Sequence, residues 1–436
     1  MTAEIAIMNS AAVALAADSA VTIQAVSDTQ VKEKIYNTTN KLFMLSKWHP
    51  VGIMLYGNAT VLQVPWEVVI KEYRSNLGSR GFDTIEQYSE DFVEFLGEFF
   101  PEEDQIRHLF THVASFFYGQ VLPQIDNAVH TAVHEGGSVT KDQLKRIARE
   151  AIGVIHKDLK KHNKLLNIPE DYEQGLVTNY QETLDQAISL VFEKLPLGKQ
   201  ERQRLREIGV FLVSRDIFPN NVSGVVIAGF GNRDRYPVLR SFDVDGVVGN
   251  TLKYRTTQEH RVNTTETAYI IPFAQQEMVY TFIEGINPSY NDLLRGYLEE
   301  MFEQYPRVLM ESLSQTIIDP QPELLDVLQE QGRDMLEQLI KRSSEYRQKR
   351  LVNPIISIVA LLPKDELAAM AESLVNLTSF KRRVSMETET VGGPIDVAVI
   401  SKGDGFIWIK RKHYFDGKLN HHFFANYYNG SEGGRP

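Results

Sequence analysis

Residues 1–22 of this 436-residue chain read MTAEIAIMNSAAVALAADSAVT and contain two short apolar runs. The runs, at residues 3–8 and 11–17, are separated by Asn9-Ser10, a polar pair that is typical of a turn. Two apolar runs around such a break predict a β-hairpin. The first strand therefore begins directly after Thr2, and Asp18 follows the second strand.

Later segments alternate between strand and helix patterns. Strand patterns occur at residues 42–45 and 51–56, in VSGVVIAGFG, in YPVLRSFDVDG and in PIDVAVISKGDGFIWIKRK, a hairpin with Gly403-Asp404-Gly405 at its turn. Helical periodicity occurs in VPWEVVIKEYR and TIEQYSEDFVEFLGEFF, across residues 101–213, near 273–285 and across 290–350. The order strands, helices, strands, helices, strands predicts an α+β chain in which helical blocks interrupt a β core.

This order also predicts one discontinuous core domain, because both ends of the chain contribute strands to it. The core is residues 1–100, 214–289 and 351–413, the helical insertions are 101–213 and 290–350, and the C-terminal tail is 414–436. The tail is aromatic and then glycine-rich. Its FFANYY segment could dock on a neighbouring subunit or an unfoldase, or fold back on its own domain, and we favour a packing role.

Composition narrows the class of protein. The net charge of −11 argues against a nucleic-acid-binding surface, and the lack of cysteine excludes disulfides and thiol chemistry. No apolar stretch approaches the roughly 20 residues of a membrane helix. The first residues carry Glu4 and Asp18 without a preceding basic region, so they do not match a secretory signal. We expect a cytoplasmic protein with no nucleic-acid or membrane partner.

Five segments, in this order, resemble proteasome β-subunits and the bacterial HslV-type peptidases: ADSAVT, NKLFMLS, GIMLYG, VVIAGFG and VGGPIDVAVISKGDGFIWI. The similarity covers roughly residues 2–76, 222–286 and 355–410, less than half of the chain. It implies an N-terminal-nucleophile hydrolase with a four-layer αββα sandwich. It also implies a threonine endopeptidase that hydrolyses peptide bonds with no metal and no cofactor.

The catalytic set that this resemblance implies is Thr2, Asp18, Lys41 and Gly57. Thr2 would be the nucleophile, exposed by removal of Met1, and Gly57 would supply the oxyanion hole. The lysine has two candidates, because Lys34 lies closer to the family's spacing, whereas Lys41 has the better local sequence. We prefer Lys41.

The chemistry explains why the family uses these residue types. A free α-amine has a pKa of roughly 7.7–8.0, so it can remove the proton of a neighbouring hydroxyl at neutral pH. A nearby lysine favours the ionised hydroxyl and the neutral amine by its charge, and an aspartate keeps that lysine charged and oriented. An N–H group aimed at the developing oxyanion contributes about 3 kcal/mol in hydrolases.

The resemblance also implies residues around the substrate and the terminal amine. Thr22 would hold the substrate peptide through its backbone, and Leu55 would line the specificity pocket. The family places a serine and an aspartate just before its double glycine, where this chain has Val391 and Thr388. The residues that could support the terminal amine instead are Ser385, Glu387, Thr388 and Glu389.

The implied partners are a peptide or protein substrate, further copies of the chain in a ring or chamber, and an ATP-dependent unfoldase. Two alternatives stay open. One is a catalytically inactive, proteasome-like assembly or scaffold protein. The other is an N-terminal-nucleophile amidohydrolase that acts on a small amide.

Two H-x-x-x-H pairs, His108/His112 and His130/His134, place histidines on one helix face. Neither pair contains the glutamate of an H-E-x-x-H motif, and the neighbouring sequence offers no obvious acidic third ligand. We therefore expect surface or packing histidines and no metal site.

Overall fold

The computed structural model describes residues 2–27, 30–220, 222–314, 322–385 and 391–429. The chain forms two compact units, one of Met1–Leu42 with Arg261–Pro436 and the other of Phe43–His260. Each unit combines α-helices with an antiparallel sheet, which confirms the predicted α+β class. Among the described residues, none of the helices has both the length and the apolar character needed to cross a membrane.

The elements alternate along the chain in blocks of strands and helices. The strands are β1 (Ala3–Asn9), β2 (Val13–Ala17), β3 (Val21–Ser27), β4 (Gln30–Tyr36), β5 (Leu42–Met44), β6 (Val51–Gly57), β7 (Thr60–Val61), β8 (Val64–Pro65), β9 (Ser223–Gly229), β10 (Val238–Val248), β11 (Thr251–Arg261), β12 (Ala268–Ala274), β13 (Asp396–Ser401) and β14 (Gly405–Lys410). The α-helices are α1 (Trp66–Leu77), α2 (Ile85–Phe99), α3 (Glu102–Phe116), α4 (Leu122–Gly136), α5 (Lys141–Leu159), α6 (Tyr172–Asn179), α7 (Gln181–Phe192), α8 (Lys199–Ser214), α9 (Glu277–Glu284), α10 (Pro288–Ser314), α11 (Pro322–Arg347), α12 (Asn353–Val359), α13 (Lys364–Val384) and α14 (His421–Asn429). π-helical turns follow α3 (Phe117–Val121) and α11 (Gln348–Val352), and a 3-10 turn (Gly417–Leu419) precedes α14.

The sheet of the first unit has the order β12-β1-β2-β13-β14. The predicted N-terminal hairpin is confirmed, since β1 and β2 pair antiparallel from Glu4–Ala17 to Met8–Val13. Asn9 closes its turn by accepting the Ala11 amide at 2.9 Å. The predicted C-terminal hairpin is also confirmed, because β13 and β14 pair antiparallel around the turn.

Helices cover one face of this sheet. Alternate residues of β1, such as Ile5 and Ile7, and Ala14 and Ala16 of β2 form an apolar core with α9, α12 and α13. The alanines allow α13, through Leu367 and Ala371, to approach the sheet closely, as small side chains do in packed interiors.

The sheet of the second unit has the order β11-β10-β9-β6-β5. The central strand β9 pairs antiparallel with both β10 and β6. Helices α1 and α2 pack on this sheet through residues such as Trp66, Tyr73 and Phe92. The predicted helical block at 101–213 is observed as α3 to α8, which form a second apolar core that also includes Val248 of β10.

Four strands lack the apolar run or alternation from which strands are predicted in a sequence. β3 and β4 form a two-stranded hairpin in a stretch that reads as polar, and β11 is largely exposed at the edge of its sheet. β12 is also an edge strand and carries Pro272, a residue that central strands exclude. The helix expected near 273–285 begins later, as α9, because β12 continues to Ala274.

Candidate functional site

Asp18 is the centre of a buried polar cluster in the first unit. It follows β2, and its side chain is fully buried. Its Oδ1 accepts the Ala3 N–H at 3.1 Å, and its Oδ2 accepts the Gly392 N–H at 2.9 Å and the Ala20 N–H at 3.2 Å. One carboxylate therefore fixes the start of β1, the residues after β2 and the double glycine before β13.

Lys41 completes this cluster. Its Nζ lies 2.5 Å from Asp18 Oδ1 and 3.5 Å from Glu4 Oε1, and its side chain is 6% exposed. Lys34 is exposed instead, with its Nζ 4.9 Å from the centre of the Tyr36 ring. The geometry supports Lys41 as the lysine that pairs with Asp18.

Thr2 precedes β1 directly and is buried. Its carbonyl oxygen accepts the Gln275 N–H at 3.2 Å, which extends the pairing with the β12 side of the sheet. Its hydroxyl Oγ1 makes no hydrogen bond of ordinary geometry to a described residue, but its side chain interacts with the Glu4 carboxyl and lowers the pKa of that group.

Glu4 is a site residue that the sequence analysis did not identify. Residues i and i+2 of a strand share a face, so Glu4 lies on the same side of β1 as Thr2. Its carboxyl is fully buried, and burial raises its pKa to about 8, although the charge of Lys41 and the Thr2 side chain act to lower it. The available signal was a single acidic residue inside an otherwise apolar strand.

We expect Glu4→Gln to remove a pH dependence of stability. The pKa of Glu4 is near 4.5 when exposed and about 8 when folded, so the native state binds the proton more tightly. The free energy of unfolding should therefore fall as the pH rises from 4.5 to 8 in the wild type, and fall less in Glu4→Gln. Urea unfolding of both proteins at pH 5 and pH 8 measures the difference. An equal fall in the free energy of unfolding in the wild type and in Glu4→Gln would contradict the raised pKa of Glu4.

Asp18→Ala should destabilise the fold strongly, because it leaves the Lys41 ammonium and buried N–H groups without their acceptor. Removing one partner of a buried pair costs about 3–5 kcal/mol. The matched control is Glu67→Ala in the exposed Lys71–Glu67 pair of α1, which also has a 2.5 Å contact. An exposed pair of this kind contributes about 0–1 kcal/mol. If urea unfolding shows similar losses of unfolding free energy in Asp18→Ala and Glu67→Ala, this result would argue against a buried charge cluster.

A second buried pair lies beside the first. Lys412 donates its backbone N–H to Asp396 Oδ1 at 2.8 Å and its ammonium to Asp396 Oδ2. Asp396 is the strand partner of Ala17, the residue before Asp18. Burial lowers the pKa of Lys412, and the charge of Lys41 lowers it further, while Asp396 and Asp18 oppose this. The sequence motif IDVAVI was interpreted only as a strand, so this pair was missed.

The predicted supporting residues are placed as follows. Thr22 lies in β3 opposite Ile35, and its side chain is outside the described part of the structure. Ser385 ends α13 and donates its hydroxyl to the Arg382 carbonyl at 3.1 Å. Val391 is buried in the apolar core of the first unit. The remaining candidates, Glu387, Thr388 and Glu389, lie outside the described residues, so support of the terminal amine stays a prediction.

Gly57 and Leu55 belong to the second unit. Gly57 ends β6 with φ +78°, and a Cβ there would lie 2.2 Å from the Val222 carbonyl oxygen, so only glycine fits. Leu55 is buried in the core beneath α1 and α2. The oxyanion role of Gly57 and the place of Leu55 in a specificity pocket both stay predictions.

The second unit also brings two of the predicted histidines to an acidic residue. His108 and His112 stack on α3 with ring centres 5.6 Å apart, and Asp245 of β10 faces them. One ligand atom from each residue lies within 4.8 Å of the other two. Burial lowers the pKa of His108 to about 4 and also lowers that of His112, which keeps both rings neutral at pH 7. The fold thus supplies the acidic neighbour that the local sequence lacks.

The comparisons with family models and with curated proteins identify no relative of this chain. No family model matches this chain, and no curated protein sequence is significantly similar to it.

Proposed function

We propose that this protein is a threonine-type peptidase of the proteasome/HslV class, with Thr2 as the nucleophile after removal of Met1. One observation carries the proposal: Asp18 holds Lys41 at 2.5 Å and also binds the amide of Ala3, the residue that follows Thr2. Asp18 and Lys41 therefore lie at the end of β1 that begins after Thr2, where we propose that Thr2 acts as the nucleophile, Lys41 as the cation and Asp18 as the orienting carboxylate. This is the arrangement that a hydroxyl nucleophile with an oriented cation requires.

The fold supports the same proposal. A four-layer αββα sandwich needs two antiparallel sheets, each with helices on one face, and each unit contains such a sheet. Every residue of β1 and β2 is buried, as expected for strands inside a layered fold.

In the proposed reaction, the Thr2 hydroxyl oxygen attacks the carbonyl carbon of the peptide bond and its proton passes to the free α-amine. The amine then protonates the leaving nitrogen, and the peptide bond breaks to give an ester on Thr2. Water hydrolyses the ester and frees the hydroxyl. Lys41 stabilises the negative charge that develops on the Thr2 oxygen, and Asp18 holds Lys41 in place.

Glu4 is a further group that can exchange protons at this site. Its pKa of about 8 allows it to change protonation near neutral pH, and it lies on the same face of β1 as Thr2. An acid or base works best when its pKa is close to the operating pH. We propose that Glu4 adjusts the charge around Thr2 and Lys41 during turnover.

Assembly and cellular location belong to the same proposal. The class implied by the sequence forms rings whose active sites face an enclosed chamber, served by an ATP-dependent unfoldase. We propose a homo-oligomer of this kind in the cytoplasm. Electron-microscopy class averages of the purified protein would show a closed ring, and a monodisperse monomer would contradict the assembly.

Covalent trapping tests the catalytic proposal. The purified chain is incubated with a peptidyl vinyl sulfone, and its intact mass and labelled peptide are measured. We expect a chain without Met1 that gains one inhibitor mass on Thr2, and no gain in Thr2→Ala. A chain that retains Met1 or stays unlabelled would favour the scaffold alternative. Labelling by a small amide-derived electrophile but not by the peptide would favour the small-amide hydrolase.

A further inference from the structure

His108, His112 and Asp245 form a cluster that the proposed peptidase site does not use. The two histidines are one helical turn apart on α3, so their rings lie on the same helix face. Asp245 lies on β10, the strand on which α3 packs. Gly246, the next residue, makes room for the His108 ring, since a Cβ there would lie 2.1 Å from His108 Nε2.

We propose that His108, His112 and Asp245 bind a divalent cation of the zinc type, independently of the proposed peptidase function. Two imidazoles and one carboxylate are a ligand set that Zn²⁺ uses when a further position stays open. The chain has no cysteine, so a site of this kind must be built from histidine and carboxylate ligands.

The distances fit this cation with small side-chain movements. Ligand atoms about 2.1 Å from a tetrahedral Zn²⁺ lie about 3.4 Å from each other. The three ligand atoms lie within 4.8 Å of one another, so each pair needs to close by no more than about 1.5 Å. Rotation of an imidazole or carboxylate about its χ angles covers this distance.

The open position would face a cavity. A cavity of about 610 Å³ is lined by all three residues and also by Thr111, Ser115 and other polar groups. Structural zinc sites are closed by four protein ligands, whereas three-ligand sites keep one position for water or substrate. The cavity therefore favours a site that exchanges its fourth ligand with solvent.

The ammonium of Lys253 opposes cation binding, so it lowers the affinity that we expect for the cation. Its Nζ lies 2.9 Å from Asp245 Oδ2 and also donates to the carbonyl oxygens of Leu212 and Ile217. A bound cation must share Asp245 with this ammonium, which weakens its binding by like-charge repulsion. Lys253→Met removes the competing charge, so it should tighten Zn²⁺ binding.

Equilibrium dialysis of the EDTA-treated full chain against ZnCl₂ tests the proposal, with Co²⁺ absorption as a second readout of ligand geometry. We expect one site per chain that His112→Gln and Asp245→Asn each weaken at least tenfold. The matched control is His130→Ala/His134→Ala, since this pair has the same spacing on α4 but is exposed, and no third ligand joins it among the described residues. Circular dichroism without metal confirms that each variant is folded.

The outcomes separate a built site from adventitious binding. Zn²⁺ should raise the melting temperature of the wild type and of the His130/His134 control, because a ligand that binds only the native state stabilises it. At the same Zn²⁺ concentration the shift should be clearly smaller in His112→Gln and Asp245→Asn, in line with their weaker binding. Binding that is unchanged in these two variants, or that is lost in the His130/His134 control, would overturn the proposal, as would weaker binding by folded Lys253→Met.

Discussion

Thr2→Ala is expected to abolish peptide hydrolysis, lowering kcat/KM by at least about 10³-fold. The substitution removes the oxygen that would form the acyl bond, and no other group can replace it in the proposed reaction. A fluorogenic peptide assay of the two purified proteins, after intact-mass analysis has shown that Met1 is absent from both, measures the effect.

A loss of activity in Thr2→Ala is not expected to arise from a loss of folding. The Thr2 hydroxyl interacts with the buried Glu4 carboxyl, so its removal should change the free energy of unfolding by no more than the contribution of one hydrogen bond, about 0.5–1.5 kcal/mol. Thr2→Ser keeps the hydroxyl and serves as the conservative control, with part of the activity retained. Equal hydrolysis by the wild type and Thr2→Ala would refute Thr2 as the nucleophile.

Local patterns made part of the site predictable from the sequence. A turn pair between two apolar runs placed the β1–β2 hairpin correctly, and this hairpin brings Asp18 next to Ala3. The NKLFMLS segment pointed to Lys41 only through its resemblance to the peptidase family, and the structure pairs Lys41 with Asp18. The hairpin prediction depends on a few neighbouring residues, for which strand periodicity and turn chemistry give strong signals.

The groups that were missed depend on contacts between distant segments. Asp245 meets His112 only because β10 lies under α3, and Lys412 meets Asp396 only after β13 and β14 have paired. Glu4 was visible as a charge in an apolar strand, but its burial follows from the folded sheet. Periodicity gives the face on which a residue lies, whereas its partner across the fold is set by topology, which one sequence does not specify.

Lys41→Met is expected to lower kcat/KM by about 10²–10⁴-fold, the range that a positioned charged or acid–base group contributes. The Lys41 ammonium is the cation at the Asp18 cluster, and methionine keeps most of its length while removing its charge. Lys34→Met is the matched control, because Lys34 is the other lysine near the family's spacing and its side chain is exposed. We expect Lys34→Met to retain wild-type activity in the same fluorogenic assay.

The stability of Lys41→Met, alone and combined with Asp18→Asn, distinguishes an effect of Lys41 on catalysis from an effect on folding. Lys41→Met leaves the Asp18 carboxylate with its three backbone N–H donors, so the charge stays partly compensated and the chain should fold. Asp18→Asn in addition to Lys41→Met removes the remaining uncompensated charge and should recover stability without recovering activity, because the cation is still missing. Two results would contradict the assignment of Lys41 as the catalytic lysine. One is activity restored by the double substitution, and the other is activity that is lost in Lys34→Met but kept in Lys41→Met.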